Sequence, residues 1–161
     1  MPALHESVAC LRISGDALHP EHITRILGCA PSLGYAKGQT EPAKLRNVAR
    51  KSGAWMLNAT DRSPADLDAQ VEELFRRIDS DLAVWASLSS QYRVDLFCGF
   101  FMSETDEGFD VSPQTMKVLG DRGIKLAVCI YGPCRDVLPT EPCPCNSGKT
   151  YAECCAPKSA T

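Results

Sequence analysis

The stretch Val8–Ile13 is rich in apolar and β-branched residues and predicts a first strand, which Ser14-Gly15-Asp16 breaks. Pro20–Leu27 then carries proline near a helix start, an acid in the first turn, and Ile23, Ile26 and Leu27 at helical spacing. Gly28 closes that helix. Residues 30–53 hold many Gly, Pro, Lys and Arg and no sustained period, which predicts a long loop. Ala54–Leu57 reads as a short strand. Ser63 as N-cap and Pro64 at the first helical position then open a helix running to about Ser80, with Leu67, Val71, Leu74, Phe75 and Ile78 on its buried face. Tyr92–Met102 is the strongest strand of the chain, with a weak point at Gly99. An acidic turn, Ser103–Asp110, separates it from a helix opened by Ser112-Pro113 and ended by Gly120 or Gly123. Lys125–Tyr131 is the last strand, stopped by Gly132-Pro133.

The order is βαβ, helix, βαβ. It predicts an α+β fold, a two-layer sandwich of a four-stranded mixed or antiparallel sheet and helices. The arrangement expected is ferredoxin-like with an extra helix, followed by a small C-terminal tail. The domain reading is 7–132 for the α+β body, 133–141 for a proline-rich linker and 142–156 for the tail.

Composition sharpens this only in part. A chain of 161 residues, 44% hydrophobic and 23% charged, has the make-up of one soluble globular domain with a core of its own. The formal charge of −3 argues against whole-surface attraction to nucleic acid, while leaving a local basic patch open. The longest apolar run, Leu126–Tyr131, is far short of the ~20 residues a membrane span needs. The N-terminus has neither a basic nor an apolar leader region, so the expected location is cytoplasmic.

Nine cysteines change the picture more. In a reducing compartment they read as thiols or metal ligands rather than disulfides. Cys10, Cys29, Cys98 and Cys129 are scattered among apolar stretches, whereas the other five crowd between Cys134 and Cys155. Cys143-x-Cys145 followed by Cys154-Cys155 places four thiols within a short turn-forming segment. A Cys-x-Cys pair puts two sulfurs on one side of a turn, where they can share a tetrahedral zinc. Asn146-Ser147 is expected to cap a short helix from Gly148 that returns the chain to present Cys154 and Cys155. Four protein ligands leave no open position, so one structural Zn2+ is expected rather than a catalytic one. Lys149, with turn N–H groups and Ser147, would offset the charge of the tetrathiolate.

Other constellations are weaker. Gly148-Lys149-Thr150 lacks the earlier glycine and the preceding strand of a phosphate-binding loop. His19 and His22 have no third ligand nearby and read as surface or capping residues, and His5 lies near the terminus. Cys98 reads as a buried thiol acting as a small apolar residue. Asp95 reads as solvated, opposite the apolar face. Lys44, Arg46, Arg50 and Lys51, with Lys37, make the long loop basic, either as a solvated segment or as a contact for RNA or an acidic protein face. Trp55 beside it reads as core. No catalytic constellation emerges, and the expectation is that the protein is not an enzyme.

The tail resembles the SEC-C motif, Cys-x-Cys-x8-Cys-Cys or -His, through its cysteines and through Ser147-Gly148-Lys149 and Tyr151; Asn146 replaces the more usual glycine. The resemblance implies a zinc-binding appendage. In the SecA translocation motor such a module helps contact a chaperone and the ribosome. The body resembles the bacterial family named domain of unknown function 4279. That resemblance is carried by Leu11–Asp16, Pro20–Leu27, Lys37-Gly38, Ser52–Trp55, Asp95–Phe100 and Gly123–Tyr131. It implies an α+β domain and no assigned activity. The functional expectation is an interaction protein whose zinc module docks a protein or ribosome-associated partner, with RNA association open. The alternative is an immunity-type protein that binds a toxin through the α+β domain, with a purely structural zinc.

Overall fold

The computed structural model describes residues 4–43, 46–78, 81–132, 140–142, 147–151 and 153–154, with backbone alone at 41–43 and 46–48. Along β1 (Glu6–Gly15), Ala9, Leu11 and Ile13 are buried, while the intervening Val8, Cys10, Arg12 and Ser14 are half-buried on the other face. That period of two follows from the pleat. It divides the molecule into a helix-covered side and an open side.

β1 is the central strand of a five-stranded sheet. On one side lie β5 (Gly53–Asn58) and then β2 (Leu33–Tyr35); on the other lie β6 (Arg93–Phe101) and β7 (Lys125–Tyr131). The β2–β5, β5–β1 and β1–β6 pairings are antiparallel, and β6–β7 is parallel. A separate two-stranded hairpin, β3 (Thr40–Ala43) with β4 (Arg46–Ala49), occupies the middle of the stretch read as loop. Backbone bonds between Gly38 and Arg50 and between Arg50 and Gln39 close its base.

Among the described residues four helices cover one face. α1 (Pro20–Leu27) buries Ile23 and Leu27 against β5. α2 (Leu67–Arg76) lies over β1 through Val71 and Leu74. α3 (Leu82–Gln91) brings Trp85 and Leu88 to β6, and α4 (Pro113–Asp121) brings Leu119 toward β7. Their apolar faces meet Leu11, Ile13, Trp55, Leu57, Leu96, Cys98 and Phe100 in one core. Trp55 is wholly buried and its indole N–H donates to Thr24 Oγ1 at 3.1 Å. A second buried polar group is fully served: Gln70 on α2 accepts from Ser7 Oγ at 2.8 Å and donates to the carbonyls of Ser7 and Thr60, each at 3.0 Å. This ties α2 to β1 by polar as well as apolar contact.

The α+β class holds, and several details correct the sequence reading. The sheet has five strands rather than four, because Leu33–Tyr35 adds an edge strand to β5. The ferredoxin-like arrangement does not hold. In that split βαβ fold another strand separates the parallel pair, whereas β6 and β7 are hydrogen-bonded neighbours and β1 meets β5 antiparallel. Two helices, not one, lie between the halves. Ser63 is not a cap: its hydroxyl donates to the His5 carbonyl, and Asp66 caps α2 by accepting from Ala69 N–H at 2.9 Å. The expected caps of α1 and α4 are present. Gly28 takes the left-handed conformation after α1, and Ser112 accepts from Thr115 N–H. Among the described residues no helix is long and apolar enough to cross a membrane.

Candidate metal centre

Among the described tail residues the two ends of the cysteine segment are held together. Pro142 and Thr150 form an antiparallel bridge, and Tyr151 N–H donates to the Glu141 carbonyl at 2.8 Å. Gly148 has a positive φ of 76°, the left-handed geometry that glycine adopts without strain. Thr150 then starts a tight turn. Its N–H and hydroxyl both donate to Glu153 Oε2, at 3.2 and 2.8 Å, and Glu153 N–H returns to the Thr150 carbonyl. The Glu153 side chain thus reaches back to the Thr150 N–H, as the glutamate of a capping box does, while its own N–H closes the turn on the Thr150 carbonyl. The hydroxyl bond from Thr150, aided by the N–H, holds the Glu153 carboxyl below its ordinary range. Cys154 N–H bonds to the Tyr151 carbonyl at 3.2 Å, so the chain has folded back by the time it reaches the thiol.

The consequence is one contact at the heart of the motif. Ser147 Oγ donates to Cys154 Sγ at 3.2 Å. Lys149 N–H in turn approaches Ser147 Oγ at 3.4 Å. A hydroxyl directed at sulfur stabilises the thiolate over the thiol, which is the outer-shell contact expected around a metal-bound cysteine. Cys154 is exposed, and its side chain meets the segment that joins Cys145 to the returning strand. A thiolate sulfur is a ligand type that zinc takes. Cys143, Cys145 and Cys155 lie outside the described residues, as does Cys134. No group of three ligand-type side chains assembles among the described residues. Of the predicted capping pair Asn146-Ser147, Asn146 lies outside the described residues and Ser147 Oγ accepts from Lys149 N–H; no helix forms among the described tail residues.

The other candidates disperse. Lys37 pairs with Asp16 at 2.5 Å, and the Arg50 guanidinium lies over the Tyr35 ring at 4.2 Å. Lys51 is exposed, Lys44 lies outside the described residues, and so does the Arg46 side chain. His19 stands at the N-cap position of α1 without a side-chain cap bond. Cys98 is fully buried, and burial pushes its thiol up to about 12; the nearby Arg12 charge pulls the other way and Cys10 adds slightly to the rise. Asp95 departs from the expectation of a solvated side chain. It is buried, 3% exposed, because Arg12 and Arg93 close over it. The strand's alternation pointed it away from the core correctly, but carried no sign of those two cations.

The fold and tail together define an open-faced α+β domain with an appended cysteine turn. The chain belongs to the family described as Domain of unknown function (DUF4279), which matches residues 5–133. The SEC-C motif matches residues 140–157. No curated protein and no solved structure matches the chain.

Proposed function

We propose that this protein is a non-enzymatic, zinc-bearing interaction protein of the cytoplasm. Its SEC-C-type tail would dock a protein or a ribosome-associated partner. The observation that carries the reading is the Ser147–Cys154 contact inside a turn closed by Pro142 and Thr150, within the segment that matches the SEC-C motif. Cys143, Cys145, Cys154 and Cys155 would hold one Zn2+, with Ser147 and Lys149 supporting the charge. A zinc held by four thiolates supplies no open position, so its chemistry is to fix the turn. Ser147 orients the Cys154 sulfur, and the Thr150–Glu153 cap stops the turn from unwinding. The basic residues Lys44, Arg46, Arg50 and Lys51 are a candidate contact for an acidic or RNA-containing surface.

Affinity capture with and without chelator, with a nuclease-treated arm, tests this reading. Cys154→Ser with Cys155→Ser is expected to abolish the captured partner. An unchanged set of partners would overturn the docking role. If deletion of residues 140–161 leaves binding intact, recognition belongs to the α+β body, as an immunity-type protein would require.

A further inference from the structure

The strand register places an unusual set of charges on the open face of the sheet. Arg12 on β1 stands directly opposite Asp95 on β6, and Lys125 on β7 is the register partner of Asp95 on its other side. Arg93 lies two residues before Asp95, on the same face by the pleat. The Asp95 carboxylate is the hub. Its Oδ1 accepts from Arg12 Nε at 2.6 Å, and Arg93 Nε approaches Oδ2 at 3.4 Å. The Arg12 guanidinium also lies over the Phe97 ring at 4.7 Å, which fixes its plane. Both arginines meet Asp95 through Nε, and their terminal nitrogens make no hydrogen bond among the described residues.

Three cations against one carboxylate leave a surplus of two positive charges on a chain whose formal charge is −3. Like charges gathered this closely repel, and one buried carboxylate only partly compensates them. Arg12, Arg93 and Asp95 border a cleft of about 240 Å³, walled by Tyr35, Ser14, Ser52 and Met56. Arg50, stacked on the Tyr35 ring, helps hold that wall in place. The volume is below the ~300 Å³ at which whole small-molecule sites begin, so it suits one anionic group. Planar guanidiniums with unspent N–H pairs match the oxygens of carboxylate and phosphate.

We propose that this cleft is an oxyanion site, taking the carboxylate or phosphate group of a small ligand. Arg12 and Arg93 donate to its oxygens, Lys125 adds charge from the next strand beside Asp95, and Asp95 positions both guanidiniums. Tyr35 and Met56 form a flat flank beside which an aromatic or apolar substituent of the ligand packs. The site is independent of the metal tail.

The test is a titration of the isotope-labelled full chain, followed by amide NMR at constant ionic strength set with chloride. Separate arms use inorganic phosphate, phenyl phosphate and succinate. Saturable shifts confined to Ser14, Ser52, Ala54 and Arg93 are expected in the phosphate arms, the succinate arm, or both, and the tighter arm identifies the ligand class. Phenyl phosphate is expected to bind more tightly than phosphate through the Tyr35 flank. Arg93→Ala with Lys125→Ala, two exposed side chains, is expected to weaken binding about tenfold or more. Shifts that stay linear and spread over every basic residue would overturn the proposal, and so would undiminished binding by the double variant. Removal of residues 140–161 is expected to leave the titration unchanged, which separates this site from the docking role of the tail.

Discussion

Cys98 gives a prediction that bears on whether the body does chemistry through a thiol. It sits on the covered side of β6, fully buried, with its thiol pushed from an ordinary 9.0 up to about 12. At pH 8 an ordinary thiol is about one-tenth ionised, whereas Cys98 would be ionised to about one part in ten thousand. Only the thiolate attacks, so alkylation in the native state is expected to be about a thousandfold slower than in urea. The same shift has a consequence for stability. Between pH 9 and 12 the unfolded chain releases this proton and the folded chain keeps it, so the unfolded state binds fewer protons and stability falls as pH rises. From pH 8 to pH 10 the loss from Cys98 alone is on the order of 1 kcal/mol. Urea unfolding of the wild type and of Cys98→Ala at both pH values isolates it, because other alkaline titrations are common to both proteins. Iodoacetamide labelling read residue by residue gives the kinetic half. Native labelling of Cys98 at a rate near that in urea would refute the argument, and would make this cysteine an ordinary accessible thiol.

Three further outcomes follow from local geometry. Gln70→Leu removes the acceptor of the Ser7 hydroxyl and the side-chain donor to Thr60 O, so it is expected to cost about 2–4 kcal/mol in urea unfolding; a change within the scatter of surface substitutions would contradict the network. One zinc per chain is expected by native mass spectrometry and none in Cys154→Ser with Cys155→Ser. Chelation should leave the body's melting midpoint within about 2 °C, since the described tail hydrogen bonds join the tail to itself. Glu153 is held below the ordinary carboxylate range by Thr150, so its contribution to the turn is present above about pH 4.5 and is lost as pH falls through its lower folded value. Glu153→Gln should remove the acid-induced shift of the Thr150 amide, and persistence of that shift would show another group to be responsible.

The elements legible in the sequence were those with local punctuation. Pro20 and Gly28 bound α1, Ser112-Pro113 opens α4, and Gly132 follows β7. The rest depended on contacts that sequence pattern does not carry. α3 escaped because its apolar residues run round the helix instead of forming a stripe, leaving Leu82 47% exposed while Trp85 is buried. β2 is three residues long and gains its strand character only by pairing with β5. Ser63 looked like a cap from its place before Pro64, but it was drawn to the His5 carbonyl and Asp66 took the role. Gly99, a weak point by propensity, is where the sheet accommodates Val8: an added Cβ would meet the valine methyl at 2.9 Å.

The two candidate sites differ in the same way, and the difference is physical. A zinc ligand set is a matter of residue type at close spacing, so Cys143, Cys145, Cys154 and Cys155 announce themselves along the chain. The Ser147–Cys154 contact spans only seven residues. The cationic cluster is assembled from three strands, with Arg12 and Asp95 separated by 83 positions. Its existence depends on register, because a slip of one residue in β6 would turn Asp95 into the core and Leu96 onto the open face. What holds that register is the apolar side of the same strands, where Leu11 pairs with both Leu57 and Leu96. The core therefore specifies the charge cluster on the opposite face without touching it. Leu96→Asp should accordingly disrupt both the fold and the anion site, whereas Arg93→Ala should weaken anion binding and leave the fold intact.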